Sequence, residues 1–546
     1  EKKIFVVQGP YPVIRRLLRA RGWVEKKLPR ATRQLERQRG RWQQQQEEVE
    51  EEEEGGDGTE QGEAVPSLGS PWPPEEEEEE EEEQWDEDPD GIHKFMSHLV
   101  QDQVPFFFWV NHCSAIDCRQ LRQDQVVNHF VGVNAFTTKE GLCFNLRNLP
   151  WCDQADPDSF FPRCYRLGAA GERQAFIEDF RLTAARSLLK VALERAGDGL
   201  VGMEQLTKSS EGPGERRVPR SHIPHSMLPT VGLGPPASPQ LVEQALQVCE
   251  QHLGSLRHQD IDGDPLSPCM TGADWDRFLQ DYYCVAHEGA GLALSRAQQE
   301  RCRVLLQLLA ERLPQLGMEG NHNVWILKPA AKSRGRGITC VARLEEVLRL
   351  AGGCAGPSAR VGEWVVQKYV ERPLLIFGTK FDIRQWFLVT DWNPLTVWFY
   401  RESYLRFCSR PFSLRHLHPA RHLCNVSIQK RYRQLQAHLA QVGRAGAWHQ
   451  VMVPGMKAAV VRALRSAQEL VESCKGSFEL YGADFVFGED CQPWLLEINA
   501  SPTMAPSSAV TSCLCAAVQR DTLRVVIDRR DDPTCSTGAF ELIYKE

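Results

Sequence analysis

The sequence lacks the features that would assign it to several common classes of protein. Apolar stretches such as residues 104–110 are much shorter than the roughly 20 residues that a membrane-spanning helix needs. The phosphate-binding pattern G-x-x-x-x-G-K-[ST] does not occur. The chain does not start with Met, and its first residues show no signal-peptide pattern, which suggests a fragment of a longer protein. These absences argue against a membrane-spanning protein and against a P-loop enzyme.

The C-x-x-C pattern is also missing. The 18 cysteines are scattered through apolar stretches, as at Cys143 and Cys340, and none forms a C-x-x-C pair. A disulfide scaffold or a zinc ribbon needs dense or paired spacing. We therefore expect buried thiols in a reducing compartment, with metal binding as the alternative.

Positive charge is absent from residues 47–90, which contain 23 acidic residues, including nine consecutive Glu at 75–83. The whole chain has 64 Lys and Arg against 73 Asp and Glu, a net charge of −9. Without this acidic tract, 50 acidic residues remain and the net charge is +14. The tract is expected to be disordered, either as a solvated spacer or as a segment that shields basic surface. The basic remainder favours a polyanionic partner: nucleic acid, an anionic membrane or a protein with acidic tails.

Changes in composition and periodicity divide the chain into segments. The predicted segments are the start of an N-terminal α/β domain (1–42), a disordered acidic tract (43–90), the rest of the N-terminal domain with a central domain (91–206), a linker or loop (207–239), the helical part of the central domain (240–320), a strand-rich catalytic domain (321–510) and a C-terminal segment (511–546).

A β-hairpin with an acidic face is predicted at residues 481–499, where two apolar strands flank a polar loop of four residues. If Gly488 pairs with Pro493, then Asp484 lies directly opposite Glu497. Cross-strand partners are about 5 Å apart on one face of a sheet, so the two carboxylates are expected to meet.

Asn499 follows Glu497 by two positions on the same strand, so its side chain is expected on the same face. Unpaired buried carboxylates are costly, and a ligand set of oxygens alone favours Mg²⁺ over zinc. The pattern predicts a magnesium site at Asp484, Glu497 and Asn499. The alternative is a hairpin whose carboxylates are solvated or form salt bridges.

A basic, glycine-rich loop follows the strand that ends at Lys328 and includes Lys332, Arg334 and Gly335. Glycine lets the backbone approach phosphate oxygens, and the cationic side chains offset their charge. The segment therefore suits phosphate binding, although any Arg-rich turn would show the same pattern.

Two further strands suit the rest of a nucleotide. The strand at 365–370 could supply backbone groups to an adenine edge. On the next strand Lys380, Asp382 and Arg384 share one face, which suits ribose and phosphate contacts, with Arg384 as a phosphate clamp. A salt-bridged strand face is the alternative. In series, these segments suit Mg-ATP held between two sheets.

Six motifs then give the sequence a specific resemblance: W-I-L-K-P, R-G-R-G-I, Q-K-Y-V, K-F-D-I-R, H-L-C-N and L-L-E-I-N-A-S-P, all within residues 325–502. They resemble the tubulin tyrosine ligase-like family, and weaker similarity in 128–167 looks like the central domain of its glycylating branch. The resemblance implies an α/β protein with an ATP-grasp ligase core, preceded by smaller α/β N-terminal and central domains and interrupted by a disordered acidic insertion.

The resemblance also implies roles for individual residues. Magnesium would be held by Asp484, Glu497 and Asn499, while Arg384 and Arg406 would serve the phosphate and the substrate or incoming amino acid. Cys424 stands where the family commonly has Thr. Nucleotide contacts are implied for Lys328, Lys332, Arg334, Gly335, Gln367, Lys368, Tyr369, Val370, Lys380, Phe381, Asp382 and Asn425.

The implied reaction uses ATP to phosphorylate a glutamate side chain in a tubulin C-terminal tail, after which the amine of free glycine forms an isopeptide bond. Such a protein is expected to act as a monomer in the cytoplasm, on microtubules including those of the ciliary axoneme, with no nucleic-acid partner and no membrane span. The alternatives are a polyglutamylase, which would use glutamate as the donor, and a microtubule-binding pseudoenzyme.

Overall fold

The computed structural model describes residues 3–27, 91–112, 116, 121–122, 124–207, 239–257, 270–292, 294–329, 337–352, 364–424, 428–431, 433–504 and 507–546. The predicted acidic tract at 43–90 lies outside these ranges, as does nearly all of the predicted linker. Four predicted site residues also lie outside them: Lys332, Arg334, Gly335 and Asn425. No helix among the described residues is long and apolar enough to cross a membrane.

The described part of the chain is a mixed α/β structure, as predicted. Its strands are β1 (Ile4–Val7), β2 (Val24–Glu25), β3 (Phe107–Trp109), β4 (Val126–Val127), β5 (Cys164–Arg166), β6 (Trp325–Pro329), β7 (Thr339–Val341), β8 (Trp364–Lys368), β9 (Leu375–Ile376), β10 (Thr379–Trp392), β11 (Leu395–Phe407), β12 (Ile428–Arg431), β13 (Glu479–Phe487), β14 (Pro493–Ala500) and β15 (Phe540–Lys545).

Its α-helices are α1 (Pro12–Ala20), α2 (Ile92–Leu99), α3 (Asn134–Thr137), α4 (Lys139–Leu146), α5 (Leu149–Asp153), α6 (Ala170–Thr207), α7 (Pro239–Arg257), α8 (Gly272–Ala286), α9 (Arg296–Ala310), α10 (Leu344–Gly352), α11 (Pro419–His422), α12 (Arg433–Gln441), α13 (Val453–Arg465), α14 (Ala509–Leu523) and α15 (Arg529–Asp531). Two π-helical turns, Trp448–Met452 and Arg524–Asp528, continue α13 and α14 at one end.

The N-terminal sheet is parallel, in the order β2-β1-β3-β4. Its inner face shares one apolar core with α1, α14 and the large sheet, through residues such as Phe107, Trp386 and Val518. The N-terminal segment therefore packs directly against the strands that carry the predicted site, on the same face of the large sheet.

A small antiparallel sheet has the order β5-β8-β6-β7. It packs against the long helix α6, where the fully buried ring of Trp325 contacts Phe176 and Phe180. Strand β5 comes from a distant part of the chain and supplies the edge of this sheet next to β8. Residues before 170 are therefore structural components of the sheet that carries Lys328.

The large sheet is antiparallel, in the order β12-β11-β10-β13-β14, with β15 added to β11 and β9 to β10. One face of β10, with Ile383 and Phe387, is buried against α3–α5, α12 and α13. On its other face, Trp386 and Leu388 are buried under the N-terminal sheet. From Trp386 toward the start of β10, the side chains on this second face change from apolar to charged. The candidate site lies at this charged end.

One expectation about cysteine is wrong. Cys143 and Cys164 form a disulfide whose Cα atoms are 6.0 Å apart. The packing of α4 against β5 brings together residues separated by 21 positions, a proximity that local cysteine spacing does not reveal. Most of the other cysteines in the described ranges are buried free thiols, as expected.

Candidate active site

The charged groups of two sheets face each other across a cleft. Lys328 lies near the end of β6 in the small sheet, and its Nζ donates hydrogen bonds to Gln367 Oε1 (2.7 Å) and to the backbone oxygen of Leu496 in the large sheet (3.4 Å). The end of β6 therefore reaches the acidic hairpin β13–β14.

The hairpin pairs Asp484 with Glu497, as the sequence predicts, but through a different turn. Phe487, and not Gly488, pairs with Pro493, so the predicted turn register is wrong by one residue. A β-bulge restores the pairing because Phe485 faces Leu495 and Asp484 faces Glu497, which leaves Leu496 as the extra residue. The carbonyl oxygen of Leu496 accepts the hydrogen bond from Lys328 Nζ.

Asn499 faces the same space as the two carboxylates. Its Nδ2 lies 3.5 Å from Asp484 Oδ2 and 3.5 Å from Glu497 Oε1. Because the oxygen and nitrogen of an amide are assigned from their surroundings, a half-turn of this group would direct its oxygen toward the same point. Three side chains therefore converge at one place on the hairpin, and all of them can offer oxygen.

Two arginines hold Asp484 from the other side. Arg384 Nε donates to Asp484 Oδ1 (2.5 Å), and Arg406 Nη2 lies 3.0 Å from Asp484 Oδ2. Arg406 Nε also donates to Asp382 Oδ1 (2.6 Å), so a row of alternating charges crosses β10, β11 and β13. The salt-bridged interpretation of this face is therefore correct for Asp382 and Asp484, and Glu497 has no such bridge among the described residues.

The pKa values of the two carboxyl groups are shifted in opposite directions. Burial alone would raise the pKa of Asp484, but the charges of Arg384 and Arg406 outweigh burial and lower this pKa below its usual value. Burial and the neighbouring charge of Asp484 raise the pKa of Glu497. The site thus pairs a carboxylate, Asp484, with a carboxyl group, Glu497, that tends to keep its proton. A divalent cation would stabilise this pair, because it can replace the proton and offset the repulsion between the two negative charges.

The donor atoms of the three converging side chains are of the kind that binds a magnesium ion. Asp484, Glu497 and Asn499 supply only hard oxygen ligands, which suit Mg²⁺. In the described ranges, no group of three or more His, Cys, Asp or Glu is arranged to hold a metal. A metal here would therefore depend on two carboxylates and the amide, with further oxygens from water or a bound phosphate.

Lys328 and Lys139 add positive charge to this cleft. Burial lowers the pKa of Lys328 to about 8, although the nearby Glu497 raises it. Lys139, the first residue of α4, is near enough to lower the pKa of both Lys328 and Glu497. Lys139 is not among the predicted site residues, because only the three-dimensional position of α4 connects it to the hairpin.

The segment Gln367–Val370 joins the small sheet to the rest of the cleft. The Lys368 ammonium is buried and uses all three donors, on Glu371 Oε1 (2.6 Å), Val324 O (2.9 Å) and Tyr369 O (3.2 Å). Gln367 is engaged with Lys328 and with Pro162 O. The Lys368 and Gln367 side chains are therefore held by the protein itself, and a ligand at this segment would meet mainly its backbone.

Lys380 and Tyr369 meet at His422, which was not predicted as a site residue. Lys380 Nζ donates to the His422 backbone oxygen (2.6 Å), and the Tyr369 hydroxyl lies 2.8 Å from His422 Nδ1. Cys424 follows two residues later, with its Sγ 3.4 Å from Cys408 Sγ. The H-L-C-N motif is thus tied to both predicted nucleotide strands before it reaches Asn425.

Two predicted contact residues point away from the cleft. The Phe381 ring is buried in the core on the opposite face of β10, against Phe407 and Phe487. The Val370 side chain packs against Met318 and Trp494. At both positions only the backbone could contact a nucleotide.

Comparison with known proteins gives a consistent result. Residues 284–533 match the family model described as the tubulin-tyrosine ligase family. Over 100% of its length the chain is 50% identical to a tubulin monoglycylase of Mus musculus and 46% identical to a tubulin monoglycylase of Danio rerio, covering 59% and 69% of those proteins. A protein monoglycylase of Mus musculus is 42% identical over the whole chain, which spans 64% of that relative.

Proposed function

Because the chain belongs to the tubulin-tyrosine ligase family, we propose that it is an ATP-dependent carboxylate–amine ligase that attaches a first glycine to glutamate side chains in tubulin C-terminal tails. The observation that carries this proposal is the identity of 46–50%, over the whole chain, with relatives named tubulin monoglycylase. The paired carboxylates and the cations around them support it, because a ligase of this kind must gather phosphate and divalent metal at one point.

The proposed nucleotide site lies between the two antiparallel sheets. Lys328, and the basic glycine-rich segment that follows it in the sequence, would meet the phosphates from the small sheet. Lys380 and Asp382 would meet the nucleotide from β10, beside the Tyr369 ring, whose centroid is 5.0 Å from Lys380 Nζ. The cations draw in a polyanion, and their burial makes each interaction stronger than it would be in water.

Asp484, Glu497 and Asn499 are the residues that would hold Mg²⁺. The ion would supply charge that offsets the phosphate oxygens. The chain's own contribution is to prepare that position: Arg384 and Arg406 keep Asp484 ionised, while Glu497 gains most from a cation because its pKa is raised. The arginines also lie where they can stabilise negative charge on a phosphoryl group.

The proposed chemistry needs no protein nucleophile. A glutamate carboxylate of the tail attacks the terminal phosphorus of ATP and releases ADP, which leaves a mixed carboxylic–phosphoric anhydride on the tail. The amine of glycine then attacks the activated carbonyl carbon, and phosphate departs as the isopeptide bond forms. The site contributes positioning and electrostatic stabilisation, the two effects that such transfers depend on.

The proposed setting follows from the substrate. We place the activity on microtubules in the cytoplasm, including those of ciliary axonemes, with one chain acting as a monomer on an acidic tail. The net charge of +14 outside the acidic tract supports attraction to such a tail.

Incubation of the purified chain with tubulin, ATP and radiolabelled glycine, in parallel with radiolabelled glutamate, tests the proposal. We expect label from glycine in the tubulin tails, dependent on ATP. Label from glutamate alone would identify a glutamylase. Binding to microtubules without ATP consumption or incorporation of either label would identify a pseudoenzyme.

The low pKa of Lys328 predicts a pH-dependent affinity for ATP. The ammonium form attracts phosphate, and with a pKa of about 8 that form is lost as the pH rises through 8. The dissociation constant of a non-hydrolysable ATP analogue is therefore expected to increase above this pH, by up to about tenfold per pH unit. Lys328→Arg keeps its charge and should show a flatter profile. A flat profile for the unmodified protein between about pH 7 and about pH 9 would contradict this role of Lys328.

A further inference from the structure

A groove lies between the β9–β10 hairpin and α12, at the end of the large sheet. We call it the Phe377 groove. Its volume is about 490 Å³, and its apolar walls include Ile376, Phe407 and Pro411. Phe377 forms one lip, and on the α12 side the ring of His438 lies 5.7 Å from the Phe377 ring. The groove has the size and mixed lining of a site for a few residues of a peptide.

Phe377 has an unusual position for an aromatic residue. It is 84% exposed, more than any other large hydrophobic residue in the described part of the chain. Its φ is +50°, followed by +70° at Gly378, in the two-residue loop that connects β9 to β10. Asn-Gly is the preferred pair in such a loop, because residues with a side chain other than Asn or Asp are strained at positive φ. The sequence thus places a large apolar ring where both folding and solubility favour Asn, which points to a contact with another molecule.

One cationic side chain in the groove has no partner of opposite charge. Arg410 is exposed and forms no ion pair within the described ranges. None of the residues that line the groove is acidic. Nδ1 of His438 has no hydrogen-bond partner among the described residues, but the atom is buried and does not face the open groove. Aromatic and aliphatic walls beside an unpaired cation suit a peptide that carries carboxylates.

The groove and the proposed reaction centre lie on opposite faces of the large sheet. Thr379 lines the groove on the face of β10 that carries Phe381, while Arg384, which binds Asp484, is five positions further along the strand on the other face. Five residues of a strand span about 17 Å. A peptide that connects the groove to the activated carboxylate must therefore pass around the end of the sheet, which takes about ten residues.

We propose that the Phe377 groove is a second docking site for the acidic tail of the substrate, away from the glutamate that receives glycine. This inference rests on the proposed function, since it assigns the tail as the occupant. The tail would place an apolar residue against Phe377 and a carboxylate against Arg410, and this contact would tether the tail while its reacting segment reaches the cleft.

The test uses Phe377→Asn, which creates the preferred Asn-Gly loop and is therefore expected to keep the fold. Phe95→Asn is the matched control, because Phe95 is an exposed aromatic (63%) on α2 of the N-terminal region, outside the groove. Two glutamate-rich peptides are compared: a long one that spans the distance and one of about four residues that cannot. Binding is measured by fluorescence anisotropy without ATP, and glycine incorporation gives KM and kcat.

For Phe377→Asn we expect about tenfold weaker binding and a tenfold higher KM for the long peptide, with kcat and the KM for ATP unchanged. The short peptide and the Phe95→Asn control should behave as in the unmodified protein. Arg410→Ala should weaken the long peptide in the same way, and more so at low salt.

Other outcomes would overturn the proposal. Equal binding of the long peptide by Phe377→Asn would show that the groove does not hold the tail. If that variant instead abolishes self-association of the chain, the groove is a contact for a second copy. Equal loss with both peptides would mean damage to the reaction centre. Failure of the unmodified protein to transfer glycine would refute the proposed function, while anisotropy would still test the groove.

Discussion

Glu497→Gln is expected to reduce glycine transfer at least about 1,000-fold while leaving the fold intact. Glutamine keeps the shape of the side chain but removes the charge that a divalent cation needs opposite Asp484. Radiolabelled glycine transfer to tubulin measures the activity, and magnesium-dependent binding of an ATP analogue measures the site independently of turnover. Glu489→Gln, in the exposed turn of the same hairpin, is the matched control and should retain activity.

The same variant is expected to be at least as stable as the unmodified protein at neutral pH. Because the folded-state pKa of Glu497 is raised, its ionised form opposes folding, and the contribution of this group to stability is greatest below its unfolded-state pKa, near 4.5. The advantage of Gln over Glu should therefore be absent at low pH and grow as the pH rises through the folded-state pKa. Normal turnover by Glu497→Gln would refute the metal assignment, and a loss of folding stability at neutral pH would refute the electrostatic account.

Arg406→Met is expected to abolish detectable ligation and to lower the free energy of unfolding by about 3 kcal/mol. Arg406 is the only cation of the described residues that bridges Asp382 and Asp484, and its side chain is only 13% exposed. Methionine fills similar volume but leaves Asp382 without its partner. Urea denaturation measures the stability, and glycine transfer measures the activity. Arg401→Met, at an exposed position on the same strand, should change neither.

The variant Arg406→Lys distinguishes the effect of the positive charge from the effect of the guanidinium geometry. Lysine restores a positive charge but cannot direct two separate donor groups at two carboxylates, as a guanidinium does. We expect this variant to regain part of the stability lost in Arg406→Met and little of the activity. If Arg406→Met is as stable as the unmodified protein, the bridge does not hold the three strands together.

Much of the candidate site could be predicted because its residues lie on regular strands. Alternation along β10 places Lys380, Asp382 and Arg384 on one face, and alternation along β14 places Glu497 and Asn499 on one face. The bulge at Leu496 could not be predicted, since nothing in an apolar stretch marks which residue is extra. The predicted turn pairing of Gly488 with Pro493 and the unmarked bulge offset each other, so the cross-strand pair was still correct.

Other parts depended on contacts between distant segments. Lys139 has ordinary neighbours in the sequence and gains significance only from the packing of α4. His422 begins the H-L-C-N motif, but its contacts with Tyr369 and Lys380 depend on the packing of α11. The disulfide between Cys143 and Cys164 has the same origin. The mixed α/β architecture was easier to predict, because helices such as α7, α8 and α9 show clear amphipathic periods.

The position of β5 has a consequence for how the protein can be divided and how it folds. Strand β8 pairs at its edge with Cys164–Arg166, about 200 positions earlier in the chain. The cleft is therefore not an independent domain that begins at residue 321. A shorter piece would expose the edge of β8, where foreign strands could add. The pairing also closes one of the longest loops in the described chain, so we expect this sheet to assemble late. Lys328 would then reach its working position only after the helices around α6 have already packed.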